Sequence, residues 1–204
     1  MTAMEEKAEP IESATGKVPP RYACGETFVP KSRYIDPEFL QLELDRLFTQ
    51  VWQPACREEE IPEPGSYYEY IIGRQSIMVV RQKDRTIKAF YNACTHRGMK
   101  VIRGAGCAVD GDLRCAFHGW RFAFDGRSSF VPSRDEFLNR PREQWSLREV
   151  AVGTWGGWVF ISMADDPPEL LQWLDPLPTA LEPFRLQDMR FRWRKRTRLA
   201  ANYK

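Results

Sequence analysis

Histidine is scarce in this chain. His96 and His118 are the only two among 204 residues, so a site that needs three imidazoles, or two separate histidine sites, is excluded. No apolar run approaches the roughly 18 residues of a membrane-spanning helix, and none is expected. The first twenty residues, MTAMEEKAEPIESATGKVPP, lack an apolar core and a twin-arginine pair. No export signal is therefore expected, and the expected compartment is the cytoplasm. The five cysteines, Cys24, Cys56, Cys94, Cys107 and Cys115, are an odd number. A disulfide framework is not expected of them in a reducing compartment, which leaves metal ligation or burial. Net charge is also small, at +2, but it is unevenly placed. Residues 190–204 hold seven basic residues and no acid, while the rest of the chain holds 23 basic and 28 acidic residues. Collagen-like and wholly disordered classes are excluded by a 43% hydrophobic content that includes twelve Phe, seven Tyr and seven Trp.

The remaining composition is ordinary, and its texture changes along the chain. Residues 1–30 are polar and Pro-rich without periodicity, which predicts a mobile arm. A helix is expected within 31–53, with Asp36 as N-cap and Pro37 in the first helical position. Leu40, Leu44, Leu47, Phe48 and Val51 would form its apolar face. Short β-rich runs follow at Tyr67–Ile72, Ser76–Gln82, Thr86–Tyr91, Leu113–Cys115, Trp120–Phe124, Trp145–Val152 and Thr154–Ser162. Asp125-Gly126 is a strong hairpin signal. Strands this short and this regularly spaced predict a small antiparallel sandwich or barrel. Pro167-Pro168-Glu169 then opens a helical stretch, with another turn at Thr179–Phe184. The alternation in Phe191–Leu199 predicts a final strand.

Both histidines stand beside cysteines. One group is Cys94-Thr95-His96-Arg97-Gly98 and the other is Cys115-Ala116-Phe117-His118-Gly119-Trp120. Each offers one thiolate and one imidazole from a glycine-containing loop between strands. Two such loops facing each other supply a Cys₂His₂ donor set, which both zinc and a [2Fe–2S] cluster accept. Zinc fingers usually pair like with like along the chain. One donor of each kind per loop suits a cluster with two irons, Cys94 and Cys115 on one and His96 and His118 on the other. Cys107 lies between the groups and is expected to be a loop or core cysteine, and the same reading covers Cys24 and Cys56.

These two loops resemble the Rieske family, whose pattern is Cys-x-His followed by Cys-x₂-His. Their flanks resemble the large α-subunits of ring-hydroxylating non-haem iron oxygenases. Tyr34, Asp36, Pro37, Phe39, Phe48 and Trp52 resemble the N-terminal helix of that branch, Pro62, Gly65 and Tyr68 its first strand, and Phe90-Tyr91-Asn92 its approach to the cluster. The resemblance implies an all-β Rieske domain over 54–163, preceded by the helix and followed by a short C-terminal α/β lead-out. It implies a [2Fe–2S] cluster held by Cys94, His96, Cys115 and His118. It also implies one-electron transfer from a ferredoxin or an NAD(P)H-dependent reductase to a mononuclear iron.

That iron would need two histidines and a carboxylate in a catalytic domain. This chain has no imidazole left for it. Ala201-Asn202-Tyr203-Lys204 resembles the start of such a domain, so 164–204 is expected to be its truncated beginning. The chain alone is then expected to hydroxylate nothing. A full-length protein is expected to be a trimer or hexamer acting on an aromatic compound by hydroxylation or demethylation. Arg97 and Trp120 would shield the cluster or face the neighbouring subunit's iron site. High-potential Rieske proteins place a loop-bridging disulfide where this chain has Met99 and Phe117, and a serine where it has Trp120. The acidic run Glu58-Glu59-Glu60 is expected to be a solvated face rather than a docking patch. The basic run Arg190–Arg198 is expected to be an internal or subunit-contact strand, not a nucleic-acid surface. The rival readings are a free-standing Rieske electron carrier and a zinc-stabilised binding module.

Overall fold

The computed structural model describes residues 30–200 except 109, 138, 140 and 194. The mobile arm expected over 1–30 falls, apart from Pro30, outside the described residues, as do Cys24 and residues 201–204. The chain divides at Asp36 into two units. On the N-terminal side, Ser32–Ile35 (α1) is a single helical turn. Everything that follows lies in Pro37–Ala200.

The helix expected across 31–53 is broken. Asp36 is extended, at φ −79° and ψ 117°, because a residue before proline is pushed out of the helical region. Pro37 does start a helix, Pro37–Leu42 (α2), which continues as a π-helical turn over Glu43–Leu47. No residue of either segment is buried, and Leu40, Leu42 and Leu47 of the expected apolar face and its flank stay exposed. Leu44 packs over Gly73, leaving no room there for a Cβ.

Ten strands follow: β1 Gln53–Arg57, β2 Ser66–Ile72, β3 Gln75–Arg81, β4 Ile87–Tyr91, β5 Ala105–Cys107, β6 Asp112–Arg114, β7 Arg121–Ala123, β8 Ser128–Phe130, β9 Glu149–Trp155 and β10 Trp158–Ser162. All pairings are antiparallel, as expected. Seven strands form one sheet in the order β1-β10-β9-β4-β3-β2-β5, and β6-β7-β8 form a second. Two of the strands expected before residue 163 needed correction. Thr154–Ser162 is not one strand, because Gly156-Gly157, both at positive φ, turn the chain back as a two-residue hairpin. Trp145–Val152 begins as 3₁₀ helix Arg142–Trp145, and the strand starts only at Glu149.

β3 lies in mid-sheet and is buried on both faces. Met78 and Val80 join Phe90, Leu113, Phe122, Phe124 and Trp120 in the core beneath the small sheet. Ile77 and Val79 join Ala89, Val159 and Ile161 in a second core on the other face. Each such side chain, fully buried, contributes about 1.5–3 kcal/mol. The small sheet, which carries the second cysteine–histidine group, is therefore seated on the first core.

After β10 come helices Leu170–Leu174 (α3) and Leu177–Leu181 (α4), then short 3₁₀ turns. Glu169 caps α3 through its side chain, which accepts from Gln172 N at 3.1 Å. The strand expected over Phe191–Leu199 is absent among the described residues: no ladder partner exists, and Phe191 and Trp193 are 70% and 71% exposed. Arg57 holds the start of this tail instead. It donates to Leu186 O at 3.2 Å and Met189 O at 2.8 Å, and its Nε lies 3.3 Å from Glu59, which in turn accepts from Phe191 N at 3.1 Å. The acidic run is thus not merely a solvated face. Glu60 accepts from Arg57 N at 2.8 Å and Glu58 lies 3.8 Å from Arg81, so Glu59 and Glu60 brace β1 and the tail while Glu58 pairs with the end of β3.

Candidate metal centre

The two cysteine–histidine groups form turns with one hydrogen-bond pattern. In the first, Gly98 N donates to Cys94 O at 2.7 Å and Cys94 N donates to Met99 O at 2.8 Å. In the second, Gly119 N donates to Cys115 O at 3.0 Å and Cys115 N donates to Trp120 O at 2.8 Å. The fifth residue of each turn is left-handed, at φ +71° for Gly98 and +75° for Gly119, which glycine adopts without strain. The first turn leaves the end of β4, and the second joins β6 to β7.

The turns bring the four donors together as two like pairs. Cys94 and Cys115 are buried in the same core, and both are free thiols. Burial pushes the Cys94 thiol up to about 11, against the backbone N–H groups of His96 and Arg97, which point at it and work the other way. Such a thiol stays protonated at neutral pH unless a cation displaces the proton. The imidazoles of His96 and His118 lie 4.6 Å apart, centroid to centroid, at 64°. His118 is exposed and His96 half-buried, so the sulfur pair is inside and the imidazole pair faces out. Among the described residues, no three His, Cys, Asp or Glu side chains converge on a point that could hold one metal ion. Two thiols inside and two imidazoles outside fit a two-iron cluster, with one like pair on each iron.

Aromatic residues wall the site. Trp120, fully buried, stacks on His96 at 5.4 Å and 6°, which supports the shielding expected of it. Phe137 meets both rings edge-on, at 5.5 and 5.4 Å. Phe117 lies 3.8 Å from His118 and is 53% exposed, and Met99 at the end of the first turn is also exposed. Arg97 is exposed. Thr95 Oγ1 donates to Trp145 O at 2.7 Å, tying the first turn to the 3₁₀ segment. Phe137 and Trp145 carry no local pattern that would have announced these contacts. Cys107 stands in β5 and is exposed, so it is neither a loop nor a core cysteine, and its Sγ lies 3.8 Å from Pro64 O. Cys56 is buried in β1, where burial and then Glu60 push its thiol up to about 12, which makes it inert.

The Rieske [2Fe-2S] domain family matches residues 51–150. This chain carries a Rieske domain. Its similarity extends past that stretch on both sides. The chain is 28% identical over 176 residues to the glycine betaine monooxygenase oxygenase subunit of Pseudomonas aeruginosa, covering 86% of this chain and 41% of that one. It is 31% identical over 164 residues to biphenyl 2,3-dioxygenase subunit alpha of Rhodococcus jostii, covering 80% and 33%. Among solved structures, the apo quaternary ammonium Rieske monooxygenase CntA superposes with a TM-score of 0.74 at 26% identity, covering 79% of this chain and 47% of that one. The chain thus spans less than half the length of these relatives, and it resembles the Rieske part of oxygenase α-subunits.

Proposed function

We propose that this chain is the electron-transfer portion of a Rieske non-haem iron oxygenase. In this reading Cys94 and Cys115 hold one iron of a [2Fe–2S] cluster, and His96 and His118 hold the other. The observation that carries it is the sorting of donors into a buried thiol pair and an outward imidazole pair. A bound cluster of this kind supplies reversible one-electron storage at the raised potential that two imidazole ligands give. The protein's own residues do the rest. The two matched turns fix the donors, the buried core beneath Cys94 and Cys115 keeps water from the sulfur side, and Trp120 and Phe137 cover one face of His96. His118, at the surface beside Phe117, is the side on which electrons enter and leave.

By the same reading, residues 54–163 are the Rieske unit and 164–204 begin a catalytic domain that holds a mononuclear iron outside this chain. The electron donor is a ferredoxin or an NAD(P)H-dependent reductase, which puts the protein in the cytoplasm where those cofactors are. The full-length protein would be a trimer or hexamer. The reaction would be hydroxylation or demethylation. The relatives are named for aromatic compounds and for quaternary ammonium compounds, and the pocket that chooses belongs to the catalytic domain. The alternative, a free-standing electron carrier, is disfavoured because the resemblance to the oxygenase subunits extends beyond 51–150. Anaerobic purification tests the proposal. Two irons and two sulfides per chain, with the EPR spectrum of a reduced Rieske cluster, support it. A colourless chain holding one zinc refutes it.

A further inference from the structure

The two ligand turns are held by different means. The second sits at the end of the β6–β7 hairpin, where Arg114 pairs with Arg121 and the ladder closes the turn. The first has no such ladder. It leaves β4, crosses the β3–β2 hairpin and lands in β5, and β4 and β5 do not pair with each other. A buried polar cluster stands under this crossing. Glu69 of β2 has a side chain only 7% exposed. Its carboxylate accepts from Lys100 Nζ at 2.7 Å, Ser76 Oγ at 2.8 Å and Gly104 N at 2.8 Å. Asn92, also buried, accepts from Val101 N at 2.9 Å and Ile102 N at 3.0 Å. It donates to Ile102 O at 2.9 Å and Ser76 Oγ at 3.0 Å. Asn92 precedes the first ligand turn, and Lys100 through Gly104 follow it. Glu69 and Ser76 sit on the two strands that the segment crosses.

We propose that Glu69, Ser76, Asn92 and Lys100 are positioning residues, which sew both ends of the first ligand turn to β2 and β3 and so fix Cys94 and His96 against Cys115 and His118. They do for the first turn what the hairpin ladder does for the second. The inference rests on the cluster ligation proposed above. A buried carboxylate with this many donors is costly to disturb, since each donor left without its acceptor loses a charge-assisted bond. Losing the clamp frees the turn at its flanks and leaves the ligands themselves intact.

The test uses the iron-loaded chain with Lys100→Met, whose side chain is 34% exposed and so tolerates replacement, and with Glu69→Gln. Lys88→Met, which removes the surface pair with Glu149, is the control. Bleaching of the visible absorption by a chelator and the EPR spectrum of the reduced cluster are measured. Lys100→Met and Glu69→Gln should bleach about ten-fold faster and give a broadened spectrum. Lys100→Arg should restore both, and Lys88→Met should match the wild type. A wild-type chain without a cluster overturns the ligation and this inference together. A wild-type cluster whose rate and spectrum are unchanged in Lys100→Met and Glu69→Gln overturns this inference alone, even if the variants unfold at lower denaturant.

Discussion

Glycine-to-alanine exchange at three positive-φ positions should give a graded series. At Gly98 an added Cβ meets nothing within 4 Å, and at Gly119 the nearest atoms are 3.8 Å away. Alanine at either site therefore suffers only the cost of the left-handed conformation, about 1–2 kcal/mol. At Gly126, φ is +83° and the new Cβ collides with the ring of Phe90 in the core under the ligand turns. Overpacking adds about 1–3 kcal/mol there, so the total is about 2–5 kcal/mol. Asparagine tolerates the left-handed region better than alanine, so Gly98→Asn should lose less than Gly98→Ala. Urea unfolding of the iron-free chain, followed by tryptophan fluorescence, reads the midpoints, and constant m-values allow their conversion to free energies. The reasoning fails if Gly98→Ala costs as much as Gly126→Ala, or if Gly98→Asn is the worse of the two exchanges at that site.

Other outcomes follow from the same geometry. His96→Ala or His118→Ala should abolish the cluster by iron and sulfide assay, while Cys107→Ser, altering an exposed thiol of β5, should leave the absorption spectrum unchanged. With Met99, Phe117 and Trp120 where the resemblance places a disulfide and a serine in high-potential Rieske proteins, fewer hydrogen bonds would reach the sulfides of a bound cluster, and voltammetry should place the midpoint near roughly −150 mV. Glu69 is acted on by burial, which raises its pKa, but the Lys100, Gly104 and Ser76 donors prevail and bring it down from 4.5 to about 2. A lowered folded value stabilises above the unfolded pKa and is lost as pH falls, so roughly 3 kcal/mol, reduced to about 2 by solvent screening at Lys100, should disappear between pH 4.5 and 2 and be smaller in Lys100→Met, where only Gly104 and Ser76 still donate. Supplied with NADH, reductase, ferrous iron and aromatic or quaternary ammonium substrates, the chain should take up electrons and yield no oxygenated product by mass spectrometry.

The parts of the fold legible in the sequence were those with local causes. β2, β3 and β4 fell within a residue or two of expectation because β-branched and aromatic runs there are bounded by glycine or charged turns. The ligand turns were legible because chemistry marks them: the only two histidines lie beside two of five cysteines. β1, β5 and β8 went unseen. β1 contains Pro54, which a sheet admits only at an edge or a bulge, and β1 has both. β5 is three exposed residues whose only reason to be a strand is β2 beside it. The tail fails in the opposite direction. Its alternation is real, yet a strand needs a ladder partner, and Arg57 and Glu59 occupy the groups that would begin one. The walls of the site were illegible for a similar reason. Trp145 reaches Thr95 across fifty residues, and nothing near either residue signals the contact.

The spacing usually read in such a sequence, Cys-x-His and Cys-x₂-His, describes the ligands and not the turns. What the two loops share is Cys-x₃-Gly. Both begin on a cysteine whose carbonyl accepts from a glycine four residues on, and both close on a left-handed glycine. The backbone problem is therefore solved identically twice, and the cysteines, at equivalent positions, meet in the interior. The histidines occupy the third place in one turn and the fourth in the other, yet their rings come within 4.6 Å at the rim. Because the hydrogen bonds depend on the cysteine and glycine backbones, the position of the imidazole within the turn is free to be set by the site. On the proposed ligation, the unequal spacing carries the information about the cluster, and the equal spacing carries the information about the fold.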